Sequence, residues 1–388
     1  MLPIIKSLLE EDFYKFSMAQ CVLHHFPTAD VEYAFKCRNK DVKLGYLAEA
    51  VKDEIHNLCN LSFTNIEIEY LKTIPFLKKT FIEFLRCIKL NESFVTVKDV
   101  NGDLDITVKG PWFATIWFEI PILAIVNELY FRQFYTEDCM QIARNKLYNK
   151  IEYLKANVDH SFKLADFGLR RRWSGEWHDE IILNLKEQLP DNFIGTSDVL
   201  LAMKHNVKSI GTFAHEWVCA GQNLGPRLID SQKFMLQKWC DEYRGDLGIA
   251  LSDTLGFKAF LNDFDLYFAN LFSGCRHDSG DPFIWLNDLL QHYKKLGIDS
   301  KTKIAVFSDG LNVEKAVDIW KVAKADIKTT FGIGTNLTND ILNTPLNIVM
   351  KLTKVNGYPV AKLSDSAGKC MCTDDNYVGY LKSVFGIK

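Results

Sequence analysis

Residues 305–335, which read AVFSDGLNVEKAVDIWKVAKADIKTTFGIGT, contain the pattern that decides the fold. Each end is a short apolar run that stops at small and polar residues, first at Ser308-Asp309-Gly310 and then at Gly332-Ile333-Gly334-Thr335. The residues between the two runs have helical character. Two apolar strands joined by a helix are typical of a parallel crossover unit, so this stretch predicts an α/β fold.

The same pattern recurs along the chain from about residue 163 onward. Its other strand ends fall at 165–168, 194–197, 210–212, 249–253 and 275–280. Parallel strands that alternate with helices favour a barrel, in which the active site lies at the carboxyl ends of the strands. The residues expected together at that mouth are His215, Asp253, Arg276, Asp278, Ser308, Asp309, Gly332 and Gly334.

The first part of the chain has a different pattern of predicted helices and strands. Apolar spacing predicts a helix over 12–25, with Asp12 at its N-cap, and another over 139–155. A β-rich run at 93–97 is followed by the hairpin signal Asn101-Gly102. These features are typical of an α+β domain.

Two domains follow from this change of pattern. An α+β, sandwich-like domain is predicted from residues 1–140 together with about 345–388. Residues 141–344 are predicted to form an irregular parallel α/β barrel that carries the chemistry.

Composition excludes several classes of function. The chain has 46 basic and 49 acidic side chains, a formal net charge of −3, which gives no electrostatic case for nucleic acid or an anionic membrane as partner. Its ten cysteines include no CxxC pair, which indicates reduced thiols and a cytoplasmic protein. The apolar run 112–131 contains Glu119, Pro121 and Glu128, so we expect a buried core element and no membrane span.

The segment Gly211-Thr212-Phe213-Ala214-His215-Glu216-Trp217 places an imidazole after a predicted strand, among small residues. Such a histidine can accept a phosphoryl group, bind a metal or shuttle a proton. A purely structural histidine is the alternative.

Two further segments predict anion binding. The glycines of Phe331-Gly332-Ile333-Gly334-Thr335 leave backbone N–H groups free to cradle a phosphate, although the motif is also compatible with a simple turn. In the cluster 276–281, Arg276 could clamp a phosphate while Asp278 and Asp281 hold sugar hydroxyls or a hydrated Mg²⁺. A solvated acidic turn with an Arg salt bridge is the other interpretation.

Phe167-Gly168-Leu169-Arg170-Arg171-Arg172-Trp173 combines an aromatic platform with three arginines. One arginine could bind an anionic ligand whose ring stacks on Phe167, and the other two could be surface charges. Ser197 can donate to a carboxylate that an aspartate would repel. It could equally be the N-cap of the helix that follows.

Taken together, these motifs resemble the bacterial type of nicotinate phosphoribosyltransferase from end to end. The matching segments are LEEDFYK (9–15), 110–131, FGLRR (167–171), GTFAHEW (211–217), GIALSDT (248–254), RHDSGDP (276–282), FSDGLN (307–312), FGIGTNLTND (331–340) and VAKLSDS (360–366). That family has a type II phosphoribosyltransferase barrel. It joins nicotinate to phosphoribosyl pyrophosphate (PRPP), and ATP hydrolysis improves the reaction through a transient phosphohistidine.

The resemblance implies a role for each candidate residue. His215 is the phosphorylated residue and acts in catalysis with Arg276 and Asp278. The residues implied for nicotinate are Tyr14, Phe167, Arg170 and Ser197. The residues implied for PRPP are Asp253, Arg276, Ser279, Gly280, Ser308, Asp309, Gly332, Gly334 and Thr335.

The resemblance also implies ligands and assembly. ATP is a co-substrate, and Mg²⁺ arrives with PRPP near Asp278 and Asp309 without fixed protein ligands. Tyr14 is implied to come from a second subunit, which gives a homodimer with a shared active site.

Three other functions compete with this one. Enzymes that use nicotinamide carry Asp where this chain has Ser197, and the phosphorylatable histidine segment argues against a quinolinate enzyme. A metal-dependent barrel hydrolase using His215 and His277 is the alternative from a different class, but the chain has no HxH or HExxH pair.

Overall fold

The computed structural model describes residues 3–342, 345–365, 372 and 374–387. Ser366, Cys370 and the predicted domain boundary at residue 344 lie outside the described residues. The helices are α1 Phe13–His25, α2 Ala48–Cys59, α3 Asn65–Lys72, α4 Lys79–Cys87, α5 Trp112–Thr115, α6 Glu119–Arg132, α7 Glu137–Asn157, α8 Gly175–Gln188, α9 Val199–His205, α10 His215–Leu224, α11 Ser231–Tyr243, α12 Phe257–Asp263, α13 Leu266–Leu271, α14 Pro282–Lys295, α15 Val313–Ala323, α16 Thr335–Thr338 and α17 Asp375–Val384. The strands are β1 Asp30–Cys37, β2 Val95–Val100, β3 Asp103–Pro111, β4 Leu164–Asp166, β5 Phe193–Thr196, β6 Ile249–Leu251, β7 Gly274–His277, β8 Ile304–Phe307, β9 Lys328–Ile333, β10 Ile348–Val355 and β11 Tyr358–Pro359.

A parallel sheet with the strand order β5-β4-β9-β8-β7-β6 carries the carboxyl-end residues. All its paired neighbours run in the same direction. Crossover helices join most of its successive strands, which confirms the predicted α/β class. The strand ends that the sequence singled out therefore meet at one edge.

The segment 208–212 lies between the two outer strands of this sheet. Thr196 N donates to Lys208 O at 3.1 Å, and Ile210 N donates to Thr196 O at 2.8 Å. On the other side, the Thr212 hydroxyl donates to Ile249 O at 3.0 Å. The strand expected at 210–212 is thus replaced by an irregular segment with one bridge, Thr196 to Ser209, which accounts for the irregular closure.

A second, antiparallel sheet has the order β11-β10-β1-β3-β2. Its strands come from both ends of the chain, because β1 lies between β3 and the late strand β10. The hairpin predicted at Asn101-Gly102 joins β2 and β3, and both residues have positive φ, 54° and 85°. The exact domain limits stay a prediction.

The segment Trp112–Arg132 packs inside the fold as α5 and α6. It has the length and apolar content of a membrane-crossing helix, and 83% of its 18-residue window is buried in the protein. Trp112, Ile116 and Phe118 are fully buried in the core. The segment therefore forms the buried core element that the sequence predicted.

Candidate functional site

A cavity of about 1120 Å³ opens at the carboxyl edge of the parallel sheet, and β10 of the second sheet forms part of its wall. Cavities of this size hold substrates and cofactors. The predicted site residues on its wall are Tyr14, Phe167, Arg170, Ser197, His215, Arg276, Asp278, Ser308, Asp309, Gly334 and Thr335. The sequence therefore predicted cavity-lining residues both in the set assigned to nicotinate and in the set assigned to PRPP.

His215 begins α10 and is 7% exposed. Its Nε2 atom lies 2.7 Å from Asp253 Oδ1. Burial, reinforced by the charge of Lys362, lowers the pKa of His215 from about 6.5 to about 4, although Asp253 acts in the opposite direction. The ring is consequently neutral at physiological pH.

Asp253 holds this imidazole from behind the cavity wall. Its Oδ2 accepts hydrogen bonds from Ser279 Oγ at 2.6 Å and from Lys362 Nζ at 2.8 Å. Burial alone would raise the pKa of Asp253, but His215 and Lys362 together lower it well below its usual range. Since the carboxylate accepts from Nε2–H, the lone pair of the ring is on Nδ1.

This arrangement changes the interpretation of the PRPP set. Asp253 and Ser279 lie buried behind the wall and orient His215, and Gly280 is exposed and does not line the cavity. Asp281 belongs to the fold, because its Oδ1 accepts from Phe283 N and Ile284 N and thereby caps α14. Asp281 is also absent from the cavity wall, so the cavity gives no support to its interpretation as a ligand-holding residue.

Asp278 is the acidic group that faces the cavity beside His215. Its Oδ2 lies 3.5 Å from His215 Nε2 and 3.9 Å from Arg276 Nη2, and Ser308 Oγ donates to its Oδ1 at 2.7 Å. Burial opposes ionisation, but Arg276 and His215 outweigh it and lower the pKa of Asp278. Asp278 is thus an ionised carboxylate on the wall.

Phe167 follows β4, and its ring packs directly against Gly332. A Cβ atom on Gly332 would lie 2.2 Å from the ring, and one on Gly334 would lie 2.8 Å from Phe167 O. Because Gly332 has no side chain, the ring of Phe167 can pack against it. Gly332 itself does not line the cavity, whereas Gly334 and Thr335 do. The assignment of Gly332 to the phosphate cradle therefore lacks geometric support.

Arg170 lies at the same end of the cavity, near two carboxylates. Its Nε is 3.7 Å from Asp12 Oδ2 and its Nη1 is 4.0 Å from Glu119 Oε1. The hydroxyl groups of Tyr14 and Ser197 lie next to Asp12, and neither makes a hydrogen bond of normal geometry to the described part of the chain. Both oxygen atoms are buried beside Asp12, and the two residues that carry them line the cavity.

Two expectations about this end of the cavity need correction. Asp198, and not Ser197, caps α9, because Asp198 Oδ1 accepts from Leu201 N at 3.1 Å. Arg172 is 2% exposed and pairs with buried carboxylates, and Arg171 lies on the cavity wall, so neither is a surface charge. Asp12 is the N-cap residue of α1, as predicted, but its side chain makes no capping hydrogen bond and faces Arg170.

Sequence reasoning missed several charged residues on the wall. Lys362 contacts Asp253, and Lys351 lies on β10, where burial lowers its pKa to about 8 against the opposing effect of Glu119. Arg38, directly after β1, also reaches the cavity. The available signal was a lysine inside the otherwise apolar run 348–352, but only the pairing of β10 with β1 brings it here.

Comparison with known proteins decides the family. The family model described as nicotinate phosphoribosyltransferase (NAPRTase) matches residues 162–388, and the model of the N-terminal domain of the same family matches residues 9–127. The chain belongs to the nicotinate phosphoribosyltransferase family. Membership makes the chain an enzyme and confirms the resemblance drawn from the motifs.

Individual members are similar over their whole length. The nicotinate phosphoribosyltransferase of Burkholderia cenocepacia is 50% identical over 99% of this chain and 97% of its own length. That of Ralstonia nicotianae is 48% identical, over 99% and 100%. Among solved structures, the nicotinate phosphoribosyltransferase from Vibrio cholerae has a TM-score of 0.95 at 38% identity, covering 100% of this chain and 94% of that one. The one from Porphyromonas gingivalis has a TM-score of 0.93 at 35% identity, covering 99% and 100%.

The metal-hydrolase alternative required His277 as a second histidine ligand, and the structure does not place His277 in the cavity. The ring of His277 packs against Trp285 and Phe307, with centroid distances of 5.5 and 5.8 Å, and does not line the cavity. The ligand atoms of His215, Asp253 and Asp278 lie within 4.8 Å of one another, but the ammonium group of Lys362 already neutralises Asp253. A nicotinate phosphoribosyltransferase fits these residues better.

Proposed function

We propose that this chain transfers the phosphoribosyl group of PRPP to nicotinate, giving nicotinate mononucleotide and pyrophosphate, and that ATP drives the reaction through a phosphorylated His215. The transferase activity follows from family membership. The observation that supports the ATP coupling is the neutral His215 ring, which Asp253 orients on the wall of the cavity.

The proposed reaction needs no general base. The ring nitrogen of nicotinate already has an in-plane lone pair, so catalysis comes from positioning the two substrates and stabilising the departing pyrophosphate. Phe167 offers a stacking face, while Arg170 and the Ser197 hydroxyl are suited to an anionic carboxylate. Ser197 thus favours nicotinate over nicotinamide as the base.

Arg276, Lys362, Gly334 and Thr335 are suited to the phosphates of PRPP. Asp278 and Asp309 bring carboxylate oxygens, the donors that Mg²⁺ prefers, to the same wall. When bound with PRPP, the ion would supply charge neutralisation for the leaving pyrophosphate.

In the proposed ATP step, Nδ1 of His215 attacks the γ-phosphorus of ATP. An N–P bond forms, the bond from that phosphorus to the β,γ-bridging oxygen breaks, and ADP leaves. The Nε2 proton remains hydrogen-bonded to Asp253, whose negative charge stabilises the phosphorylated ring. Later hydrolysis of the N–P bond would draw the transfer toward the mononucleotide.

Two further statements about the whole protein remain proposals. A cytoplasmic location agrees with the free cysteines of the described residues. A homodimer with a shared active site, to which Tyr14 comes from the second subunit, is also proposed; within one chain, Tyr14 lies on the wall of the cavity.

Replacement of His215 by alanine tests the ATP step. The His215→Ala variant should form nicotinate mononucleotide at a rate that ATP no longer stimulates, and it should incorporate no label from γ-labelled ATP. His160→Ala, at an exposed histidine, is the matched control and should behave as the unmodified chain. If ATP still stimulated product formation by the His215→Ala variant, the proposed ATP step would be wrong.

A further inference from the structure

Lys15 is a fully buried lysine that lies behind the cavity wall. It belongs to α1 and is 0% exposed. Its Nζ lies 2.9 Å from Glu119 Oε2 and 2.5 Å from Glu216 Oε2. Glu119 and Glu216 both line the cavity, so this one ammonium group joins two wall residues.

The two carboxylates come from two different helices and meet at the one ammonium group of Lys15. Glu216 directly follows His215 in the first turn of α10. Glu119 opens α6 and lies 4.0 Å from Arg170, beside the aromatic end of the cavity. The Lys15 bridge, defined as Glu216, Lys15, Glu119 and Arg170, therefore connects the phosphate end with the base end.

The arm toward Glu216 is held by further donors. Glu216 Oε1 accepts from Tyr33 Oη at 2.6 Å and from Trp112 Nε1 at 2.7 Å. A buried carboxylate with three donors is fixed in position, and it fixes the start of α10 with it. Loss of the lysine charge would leave two buried carboxylates uncompensated, one of them drawing Arg170 toward itself.

We propose that Lys15 is a positioning residue that holds the phosphate end and the base end of the cavity in register. This inference rests on the proposed function, because the proposed function places PRPP at the end of the cavity near His215 and nicotinate at the end near Arg170. A purely structural ion pair would affect folding stability without moving the two Michaelis constants.

Steady-state kinetics of the full-length chain tests this proposal. Lys15→Met should raise KM for both nicotinate and PRPP by about tenfold each, an effect of the size that connected buried networks produce. Lys15→Arg keeps a charge that can span two carboxylates and should recover most of the loss. If Lys15→Met does not fold, Lys15→Gln replaces it, because its amide can serve only one carboxylate.

Two variants separate positioning from stability. Tyr33→Phe removes one donor from Glu216 and leaves the pair with Glu119, so it should raise KM for PRPP alone. Lys303→Met removes another buried lysine, which donates to Phe272 O at 2.8 Å at the opposite edge of the sheet, so it should lower Tm without raising either KM.

The outcomes distinguish this inference from the proposed function. If the unmodified chain makes no nicotinate mononucleotide, both the proposed function and this inference are wrong. If the unmodified chain is active and Lys15→Met only lowers Tm, as Lys303→Met does, the positioning role of Lys15 is wrong and the proposed function stands.

Discussion

At the scale of single residues, the depressed pKa of His215 determines how the ATP step should respond to pH. A group with a pKa of about 4 is unprotonated throughout the neutral range, so phosphorylation of His215 should not change on its account between about pH 6 and 8. As the pH falls through about 4, Nδ1 becomes protonated and the reaction should stop.

Lys362 is the charged group that contributes most to this depression, after burial. Lys362→Met removes its charge from both His215 and Asp253, so the pKa of His215 should rise above its value of about 4, although burial still keeps it below the ordinary range. Titration of the His215 ring by NMR measures this directly, independently of any effect on turnover. An unchanged or lower pKa in the variant would contradict the electrostatic account.

Ser197 should determine which base is accepted. Ser197→Asp places a negative charge beside the carboxylate of nicotinate, and we expect KM for nicotinate to rise by about 10- to 100-fold. The KM for nicotinamide should not rise. Ser197→Ala, which removes the hydroxyl without adding charge, is the control and should have the smaller effect; equal effects would mean that charge does not govern selection.

The sequence identified the residues on the cavity wall better than those behind it. Strand-end residues such as Asp278 and Asp309 were predictable because parallel strands bring their carboxyl ends together. Ser197 and Asp198 were not separable by pattern, because either side chain can cap a helix. The contact between Lys362 and Asp253 joins residues more than 100 positions apart, which local patterns do not reveal.

At the scale of elements, the close packing of β9 against the segment after β4 positions the base site. Gly332→Ala would drive a methyl group into the Phe167 ring, 2.2 Å from the added carbon, and displace it. The variant should fold with reduced Tm and a KM for nicotinate raised about tenfold or more, since the stacking face has moved.

Gly379→Ala is the matched control for this substitution. Gly379 lies inside α17, and an added Cβ would meet nothing within 4 Å. Alanine is favoured over glycine in a helix by about 1 kcal/mol, so stability should increase slightly and both KM values should stay unchanged. A normal nicotinate KM in Gly332→Ala would show that Phe167 does not stack on the base.

The elements themselves were partly predictable. Helical spacing indicated helices over 12–25 and 139–155, and the structure has them at Phe13–His25 and Glu137–Asn157. The segment 210–212 was expected to be a strand like the others. It makes hydrogen bonds on both sides without regular pairing, and this depends on the geometry of barrel closure and not on local sequence.

At the scale of the whole molecule, both sheets contribute to the cavity because the late strand β10 returns to pair with β1. That return brings Lys351 to the cavity, and the following segment brings Lys362 to Asp253. The change in the pattern of predicted strands and helices along the sequence indicated two kinds of domain. It could not show that residues from both contribute to a single wall.

The proposed homodimer shares its active site through Tyr14, although the cavity of one chain also includes Tyr14, Phe167 and Arg170. We therefore expect that mixing a Tyr14→Ala chain with a His215→Ala chain restores about a quarter of the normal ATP-stimulated activity. Refolding the two variants together and assaying the mixture checks this. No recovery would mean that Tyr14 does not act across a subunit boundary in a homodimer.

The most direct test of the central claim is product formation from PRPP and Mg²⁺ with nicotinate, nicotinamide or quinolinate, each with and without ATP. The account predicts nicotinate mononucleotide from nicotinate, formed faster with ATP, and little or no nucleotide from the other two bases. Nucleotide formation from nicotinamide in preference to nicotinate, or no response to ATP, would contradict the roles assigned to Ser197 and His215.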